Sequence, residues 1–387
     1  MQAGSDMLAM MILSGALICG CGGGGGSTSV PTPAPTPTPT PVVAATPTVT
    51  TAPALGGAVI VSLASSTKGS TIYYTTDGST PTTSSQVYQA PFLVSSSMTV
   101  NAIAGASGDT TSGVAGKTLA PGVASGTLIW SDEFANSGST NAQPNPLVWT
   151  YDTGNSGFGN SELENYCAWG SNTAPCSSAS PNAYVGTDGY LHIVAQSPSA
   201  GVYTSARMKS QGLFSVLYGR VEARAKLPES QGMWPAFWLL GNNIATINWP
   251  ACGELDVMEH INGSDSPLYV GGAPPGYDWV QSSVHGTGFD GSKSGTPYHP
   301  SGFSAAAWHT YGMIWSPGKI QYYVDDPTNP YETFTPSTPQ GGTWPFDSGP
   351  QFLLLNLAVG GSWPGNPNGT TVFPGDMQVD YVRIYAN

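Results

Sequence analysis

The sequence contains few charged side chains, and very few of them are basic. Only 9% of its 387 residues are charged, and ten Lys plus Arg against 23 Asp plus Glu give a formal net charge of −13. Surfaces that bind nucleic acid or anionic membranes need clustered basic residues. This chain has no such cluster, so we expect no nucleic-acid partner. Long helical periodicity is also nearly absent, which excludes a TIM barrel because its strands alternate with helices.

Glycine, proline and aromatic residues are abundant instead. The chain has 50 Gly and 34 Pro, and its apolar runs are short and rich in β-branched residues. This pattern predicts an all-β protein with many turns, long enough for two or three domains. Eleven Trp and eighteen Tyr beside so few charges favour a neutral, ring-shaped ligand such as a sugar.

Residues 1–21 are predicted to be an export signal. The segment "MLAMMILSGALICGC" holds an apolar stretch too short to span a bilayer as a helix. Gly20 before Cys21 resembles the bacterial lipoprotein cleavage box, which implies a lipid on Cys21. Residues 1–10 lack the Lys or Arg typical of a signal's start, so an ordinary secretion signal is the alternative. We expect a secreted protein or a cell-surface, outer-membrane lipoprotein of a bacterium, touching the membrane only through Cys21.

Two segments precede the largest part of the chain. Residues 22–52 are rich in Pro and Thr and are predicted to be an extended linker. Residues 53–122 contain short β-rich runs, and their motif "IYYTTDGSTPTTSS" resembles the small β-sandwich appended to chitobiase and to many secreted glycoside hydrolases. The resemblance implies an immunoglobulin-like fold without catalysis. It leaves open whether this domain binds glycan or is a spacer.

Residues 123–387 are predicted to form one large β-sandwich. Strand-like runs such as "LYGRVEARAKL" and "QFLLLNLAVGG" follow one another without helical segments between them. Cys167 and Cys176 flank the loop-like stretch "AWGSNTAP", so we expect a disulfide between them in an exported protein. Cys252 lies in an apolar run and is predicted to be a small buried side chain.

An acidic cluster, "GELDVMEH" at residues 253–260, is the most informative stretch of the large domain. Glu254 and Asp256 fit the two-residue period of a strand, whereas Glu259 does not. A β-bulge near Val257–Met258 would return Glu259 to the face of the other two acids and leave the apolar residues on the opposite face. Two carboxylates that flank a glycosidic bond are the minimum for glycoside hydrolysis. A calcium site or a solvated sheet edge suits this apolar strand less well.

The cluster resembles the signature of glycoside hydrolase family 16 in its laminarinase-like form. "GNSELENY", "GMWPAFWLLG" and "LLLNLAVGGSWPG" accompany it in the family's order. The resemblance implies a concanavalin-like jelly-roll sandwich with a concave cleft, and a retaining mechanism. It assigns Glu254 as nucleophile, Glu259 as general acid and then base, and Asp256 as a helper that tunes the nucleophile. It implies no catalytic cofactor, but a structural calcium in many members, for which Glu133 and Asp380 are candidates.

The resemblance also implies a set of substrate-binding residues and a substrate class. Trp234 and Trp238 would stack on sugar rings, Asn160, Glu162 and Arg207 would bind hydroxyls, and His285 would face the leaving group. The connection after the acidic strand departs from the family because it is longer than in many members, and Trp279 within it is a candidate for an added sugar platform. We expect a monomeric endo-glucanase for β-1,3-glucan or mixed β-1,3/1,4-glucan. A galactanase acting on agarose or carrageenan, a transglycosylase and a non-catalytic glucan-binding protein are the alternatives.

Overall fold

Short strands make up nearly all of the regular structure. The computed structural model describes residues 42–261, 278–289, 295–337 and 342–387. Within these ranges, the N-terminal strands are β1 (Thr48–Pro53), β2 (Val59–Ala64), β3 (Thr71–Thr75), β4 (Gln86–Val87), β5 (Phe92–Val94), β6 (Met98–Gly105) and β7 (Ala115–Leu119). Two short 3₁₀ segments lie at Leu55–Gly57 and Asn242–Ala245.

The remaining described strands belong to the large domain. They are β8 (Leu128–Asp132), β9 (Thr150–Asp152), β10 (Glu164–Tyr166), β11 (Ala183–Val185), β12 (Leu191–Ser199), β13 (Val202–Ser205), β14 (Arg207–Lys209), β15 (Ser215–Val216), β16 (Gly219–Lys226), β17 (Met233–Gly241), β18 (Glu254–Glu259), β19 (Val280–His285), β20 (Gly295–Tyr298), β21 (His309–Ser316), β22 (Lys319–Val324), β23 (Glu332–Phe334), β24 (Gln351–Val359) and β25 (Gly375–Tyr385).

Two large sheets pack face to face and enclose the main core. One runs in the order β1-β2-β5-β15-β24-β17-β18-β19-β20, with β14 and β9 beside it, and the other in the order β10-β13-β12-β25-β16-β21-β22-β23, with β8 and β11 attached. Apolar side chains from both sheets meet between them, among them Phe237, Leu255 and Leu355 from the first and Met313 and Val382 from the second. The all-β sandwich predicted from the sequence is confirmed.

Side-chain alternation along the strands explains which face each sheet buries. In β16, Val221, Ala223 and Ala225 are buried in the core while Arg220 and Arg224 point away from it. Every residue of β24 is buried. One face of this strand contributes to the core and the other to the floor of a cleft, which accounts for its continuous run of apolar residues.

The N-terminal strands form a small sandwich that shares a sheet with the large domain. β1, β2 and β5 face the four-stranded sheet β4-β3-β6-β7 around their own apolar cluster, which includes Val61 and Val100. Phe92 and Leu93 of β5 then pair in parallel with Ser215 and Val216 of β15. The predicted accessory sandwich is therefore present. Strand β15 pairs with β5 on one side and with β24 on the other, so the sheet continues from the accessory sandwich into the large domain. The sequence pattern did not indicate this continuity.

A strand already precedes the predicted linker boundary at residue 52. β1 already starts at Thr48 and pairs with β2 along its whole length. The Thr and Val residues of "TVTTAP" suit a strand, which explains the correction. The predicted signal, Cys21 and most of the linker lie outside the described residues, as does most of the long connection after β18. Among the residues described, no helix has the length and apolar character needed to cross a bilayer.

Candidate active site

A cleft of about 870 Å³ lies on the face of the first sheet that is turned away from the core. Its floor comes from β17, β18, β19 and β24, and loops form its walls. The lining combines carboxylates, aromatic rings and polar side chains: Phe158, Gly159, Asn160, Glu162, Arg207, Trp234, Ala236, Trp238, Leu240, Ile244, Trp249, Glu254, Asp256, Glu259, Gln281, Ser283, His285, Gly295, Asn356, Ala358 and Trp363. The site is thus broad, open and mixed in polarity, as a polysaccharide requires.

Strand β18 carries a bulge that brings its three acids into this cleft. Trp238 pairs with Asp256, and the next residue back, Phe237, pairs with Met258. Val257 is therefore the extra residue. Val257 and Met258 are both buried in the core, at 2% and 0% exposure, whereas Glu259 returns to the cleft face. The bulge predicted from the E-x-D-x-x-E spacing is confirmed.

Burial and mutual repulsion disfavour simultaneous ionisation of the three carboxyl groups at neutral pH. Burial first, and then the charge of Asp256, raises the pKa of Glu254 and of Glu259, each to about 8. Burial also raises the pKa of Asp256 itself. Because each negative charge disfavours the next, the cluster holds protons that an isolated carboxylate would lose. The cluster therefore favours a protonated carboxyl group, as a general acid requires.

Two neighbours hold the acids in place. Trp234 Nε1 donates a hydrogen bond of 3.0 Å to Glu259 Oε1. His285, on the adjacent strand β19, places Nε2 3.0 Å from Asp256 Oδ2 and 3.8 Å from Glu254 Oε1. The histidine thus lies on the Glu254–Asp256 side of the cluster, while the indole contacts Glu259. The two glutamates therefore have different environments although their pKa values are raised alike.

An arginine and a tryptophan form the floor beside the acids. The Arg207 guanidinium lies 4.7 Å from the Trp238 ring centroid and donates to Asp152 Oδ2 at 3.0 Å. Trp238 Nε1 donates to Asn356 Oδ1 at 2.7 Å. Each polar group of this floor is oriented by a partner. The indole of Trp238 is only 8% exposed, so a sugar ring would contact its upper surface alone.

A hydrogen-bonded acid pair lies under the opposite wall. Glu162 accepts from Tyr166 Oη at 2.8 Å and from Asn160 Nδ2 at 3.2 Å. Glu164 is fully buried and accepts from the Val359 backbone N–H at 2.6 Å. Burial and the charge of Glu162 raise the pKa of Glu164 to about 8. Glu164 therefore favours its neutral acid form.

Most of the predicted site residues meet in the cleft, and one does not. The acids of β18, Trp234, Trp238, Asn160, Glu162, Arg207 and His285 all line it. Trp279 is only 1% exposed and packs edge-on against Trp363, so the expectation that Trp279 is a sugar platform is wrong. Trp279 is covered by aromatic rings from segments distant in sequence, such as Trp363, and the sequence around Trp279 does not show this.

Sequence reasoning missed several lining residues. They are Phe158, Trp249, Gln281, Ser283, Asn356 and Trp363. The sequence could have indicated two of these residues. Asn356 is a lone polar residue in the apolar run "LLLNLAV", and Trp363 lies in the motif "GGSWPG", which is part of the family resemblance. The loop residue Trp249 had no such signal.

The proposed calcium ligands and cysteines have clear environments. Glu133 forms a bidentate pair with Arg383 at 3.0 and 2.8 Å, and Asp380 pairs with Arg224 at 2.6 Å. Carboxylates neutralised by arginine do not fit a calcium site, so the calcium prediction gains no support here.

The predicted disulfide joins Cys167 to Cys176, and Cys252 is buried as a free thiol.

Comparisons with known proteins agree with this geometry. Residues 170–383 match the model of "Glycosyl hydrolases family 16", and residues 51–116 match "Chitobiase/beta-hexosaminidase C-terminal domain". A "Beta-glucanase" of Rhodothermus marinus is 37% identical over 67% of this chain and 84% of its own length. A "Keratan-sulfate endo-1,4-beta-galactosidase" of Sphingobacterium multivorum is 34% identical over 67% of this chain and 54% of its own.

A solved structure extends the likeness to three dimensions. The laminarinase catalytic domain of Thermotoga maritima is 36% identical and superposes with a TM-score of 0.55 over 67% of this chain and 98% of the other. The family match over residues 170–383 contains the bulged acidic strand. The chain belongs to glycoside hydrolase family 16.

Proposed function

We propose that the protein is a retaining endo-glycoside hydrolase that cleaves β-1,3-glucan of the laminarin type, or mixed β-1,3/1,4-glucan. The observation that carries the proposal is the bulge in β18, which puts Glu254, Asp256 and Glu259 into one open cleft. The relatives named for glucans support the choice of substrate. An open cleft with two walls, as opposed to a closed pocket, supports cleavage within a long chain.

The first half of the reaction forms a covalent intermediate. The Glu254 carboxylate attacks the anomeric carbon, and the bond from that carbon to the glycosidic oxygen breaks. Glu259, in its acid form, gives its proton to the departing oxygen. The electron pair of the broken bond stays on that oxygen, which leaves as a hydroxyl group of the released sugar chain. Glu254 is then esterified to the remaining sugar.

The second half releases the sugar and restores both groups. Glu259, now a carboxylate, takes a proton from water while the water oxygen attacks the anomeric carbon. The ester bond to Glu254 breaks, and its carboxylate is regenerated. Two inversions give net retention. Burial and the charge of Asp256 favour the acid form of Glu259 before the first step. At Glu254 the charges of His285 and Arg207 oppose the same two effects and so favour its carboxylate.

The role of Asp256 follows from its contacts. It lies between the two glutamates and 3.0 Å from His285 Nε2. Its carboxyl group and the histidine together set how much negative charge Glu254 carries before attack. This division of charge lets one glutamate act as nucleophile while the other stays an acid.

The test combines product analysis with one substitution. Purified protein incubated with laminarin should release new reducing ends, and proton NMR should show the β-anomer first. Glu254→Gln should lower kcat by about 10⁴-fold, and the matched variant Glu332→Gln, on β23 outside the cleft, should leave kcat unchanged. An α-anomer as first product, or full turnover by Glu254→Gln, would exclude this mechanism.

A galactan is the second candidate substrate. The relative named keratan-sulfate endo-1,4-beta-galactosidase favours it, although a net charge of −13 is unfavourable for a sulfated polymer. Parallel digests of laminarin, lichenan, agarose, carrageenan and keratan sulfate decide between the substrates. Transfer products larger than the substrate would identify a transglycosylase. Binding without cleavage would identify a glucan-binding protein.

We further propose that the protein is exported and tethered through a lipid on Cys21, and that it acts as a monomer. The support is the apolar segment that ends in "LICGC". In a bacterial host, the full chain should fractionate with membranes, and Cys21→Ala should move it to the soluble fraction. Equal fractionation of both forms would contradict the anchor. Light scattering of the purified soluble form tests the monomer.

A further inference from the structure

Trp249 is the most solvent-accessible tryptophan in the described part of the chain. Its side chain is 47% exposed, whereas the other tryptophans are buried or half-buried. Its exposure leaves much of an indole surface in water, which is unfavourable unless a ligand covers it. Ile247, on the same loop, is also 40% exposed but is not among the residues that line the cleft.

The indole borders the cleft next to the nucleophile. Trp249 lines the cleft together with Glu254. Its ring centroid lies 5.9 Å from that of His285, and the His285 backbone pairs with Glu254 across β18 and β19. Half-buried Ile244 extends the apolar wall beside it. Because His285 in turn lies beside Glu254 and Asp256, a chain of sugar rings that reaches these acids is also close to the exposed indole.

Both ends of the loop that carries Trp249 are anchored. At its start, Asn242 Nδ2 donates to Ser215 Oγ at 2.9 Å, and Ser215 Oγ donates to the Pro91 carbonyl of the accessory sandwich at 3.1 Å. Within the loop, the Asn243 carbonyl accepts hydrogen bonds from the backbone N–H groups of Thr246 and Ile247. At the end of the loop, the Gly253 carbonyl accepts a hydrogen bond from the Gly241 N–H. The backbone that carries the indole is thus anchored before any ligand arrives, which lowers the entropic cost of binding.

We propose that Trp249 is a specificity-determining sugar platform, which stacks on a pyranose ring of the polysaccharide beyond the ring that reacts at Glu254. Stacking buries the apolar face of the ring against the indole. The inference deepens the proposed function and rests on it for the nature of the substrate. A platform away from the scissile bond contributes only when the substrate is long enough to reach it, so its effect must depend on chain length.

Kinetics on β-1,3-linked gluco-oligosaccharides of increasing length test the proposal. Trp249→Ala should lower kcat/KM for laminarin and long oligosaccharides by about tenfold, mainly through KM, and leave the shortest cleaved oligosaccharide nearly unaffected. Trp249→Phe should retain most of the activity because it keeps an aromatic face. Ile247→Ala is the matched control from the same loop, and its kinetics should match those of the wild type.

Two outcomes would overturn the platform. One is wild-type kinetics for Trp249→Ala at every length. The other is an equal loss at every length together with a lower melting temperature, which indicates a structural role. Titration calorimetry of laminarin, and of the other polysaccharides, into Glu254→Gln with and without Trp249→Ala separates this inference from the proposed function. If no glucan is bound or cleaved but the platform variant weakens binding of another polysaccharide about tenfold, the proposed substrate fails and the platform stands.

Discussion

Replacing Trp234 by Phe should move the alkaline limb of the pH–rate profile upwards. Trp234 Nε1 donates to Glu259 Oε1 at 3.0 Å, and this bond lowers the pKa of Glu259 against the opposing effects of burial and Asp256. The donor stabilises the carboxylate more than the neutral acid. Phenylalanine keeps an aromatic ring in the cleft but has no donor, so the pKa must rise.

The size of the shift follows from the energy of such a bond. A hydrogen bond to a charged group contributes about 1.5–3 kcal/mol, and part of it survives when the acceptor is neutral. One pKa unit corresponds to about 1.4 kcal/mol. The alkaline limb, set by Glu259 at about 8 in the wild type, should therefore rise by roughly one unit.

The assay is kcat/KM on a soluble β-1,3-gluco-oligosaccharide across the neutral and alkaline range. Trp363→Phe is the control, because Trp363 packs edge-on against Trp234 at 5.4 Å and its replacement leaves the bond to Glu259 intact. We expect a lower rate for both variants and a shifted limb for Trp234→Phe alone. An unmoved limb, or one displaced to lower pH, would refute the assignment of Glu259 as the acid.

Two further predictions concern stability. Replacing Cys167 and Cys176 by Ser opens a loop of sequence separation 9, and urea unfolding should show a loss of about 2–3 kcal/mol; an unchanged unfolding free energy would contradict it. Burial disfavours the charged form of His192, but the carboxylates of Asp376 and Asp188 outweigh this and raise its pKa. Its stabilisation is therefore complete below the ordinary pKa of about 6.5 and is lost as pH rises through the raised value. His192→Gln should destabilise the protein more at acidic than at alkaline pH, and a pH-independent difference would disprove the link.

Local sequence patterns predicted the fold class and the centre of the site well. Alternation along β16 and the apolar run of β24 mark strands whose faces are set by their own residues. The spacing of Glu254, Asp256 and Glu259 required a bulge, because a regular strand would have turned the third acid into the core. These features involve neighbours in sequence, so the sequence shows them directly.

The exposure of individual aromatic residues could not be predicted from the local sequence. Trp279 and Trp249 both lie in loop-like sequence near the acidic strand, yet one is 1% and the other 47% exposed. Which indole meets solvent depends on what distant segments place over it. The bond from Trp234 to Glu259 is of the same kind, since it joins two strands that pair only in the folded sheet.

The all-β class, the bulged acidic strand and the family can be predicted from the sequence alone. Each depends on residue order within one short segment, or on a series of such segments. The raised pKa values of the acids, the pairing of β5 with β15 and the exposure of Trp249 depend instead on the tertiary structure. Those properties arise from burial and from contacts between segments far apart in the chain, and these form only when the sheets assemble.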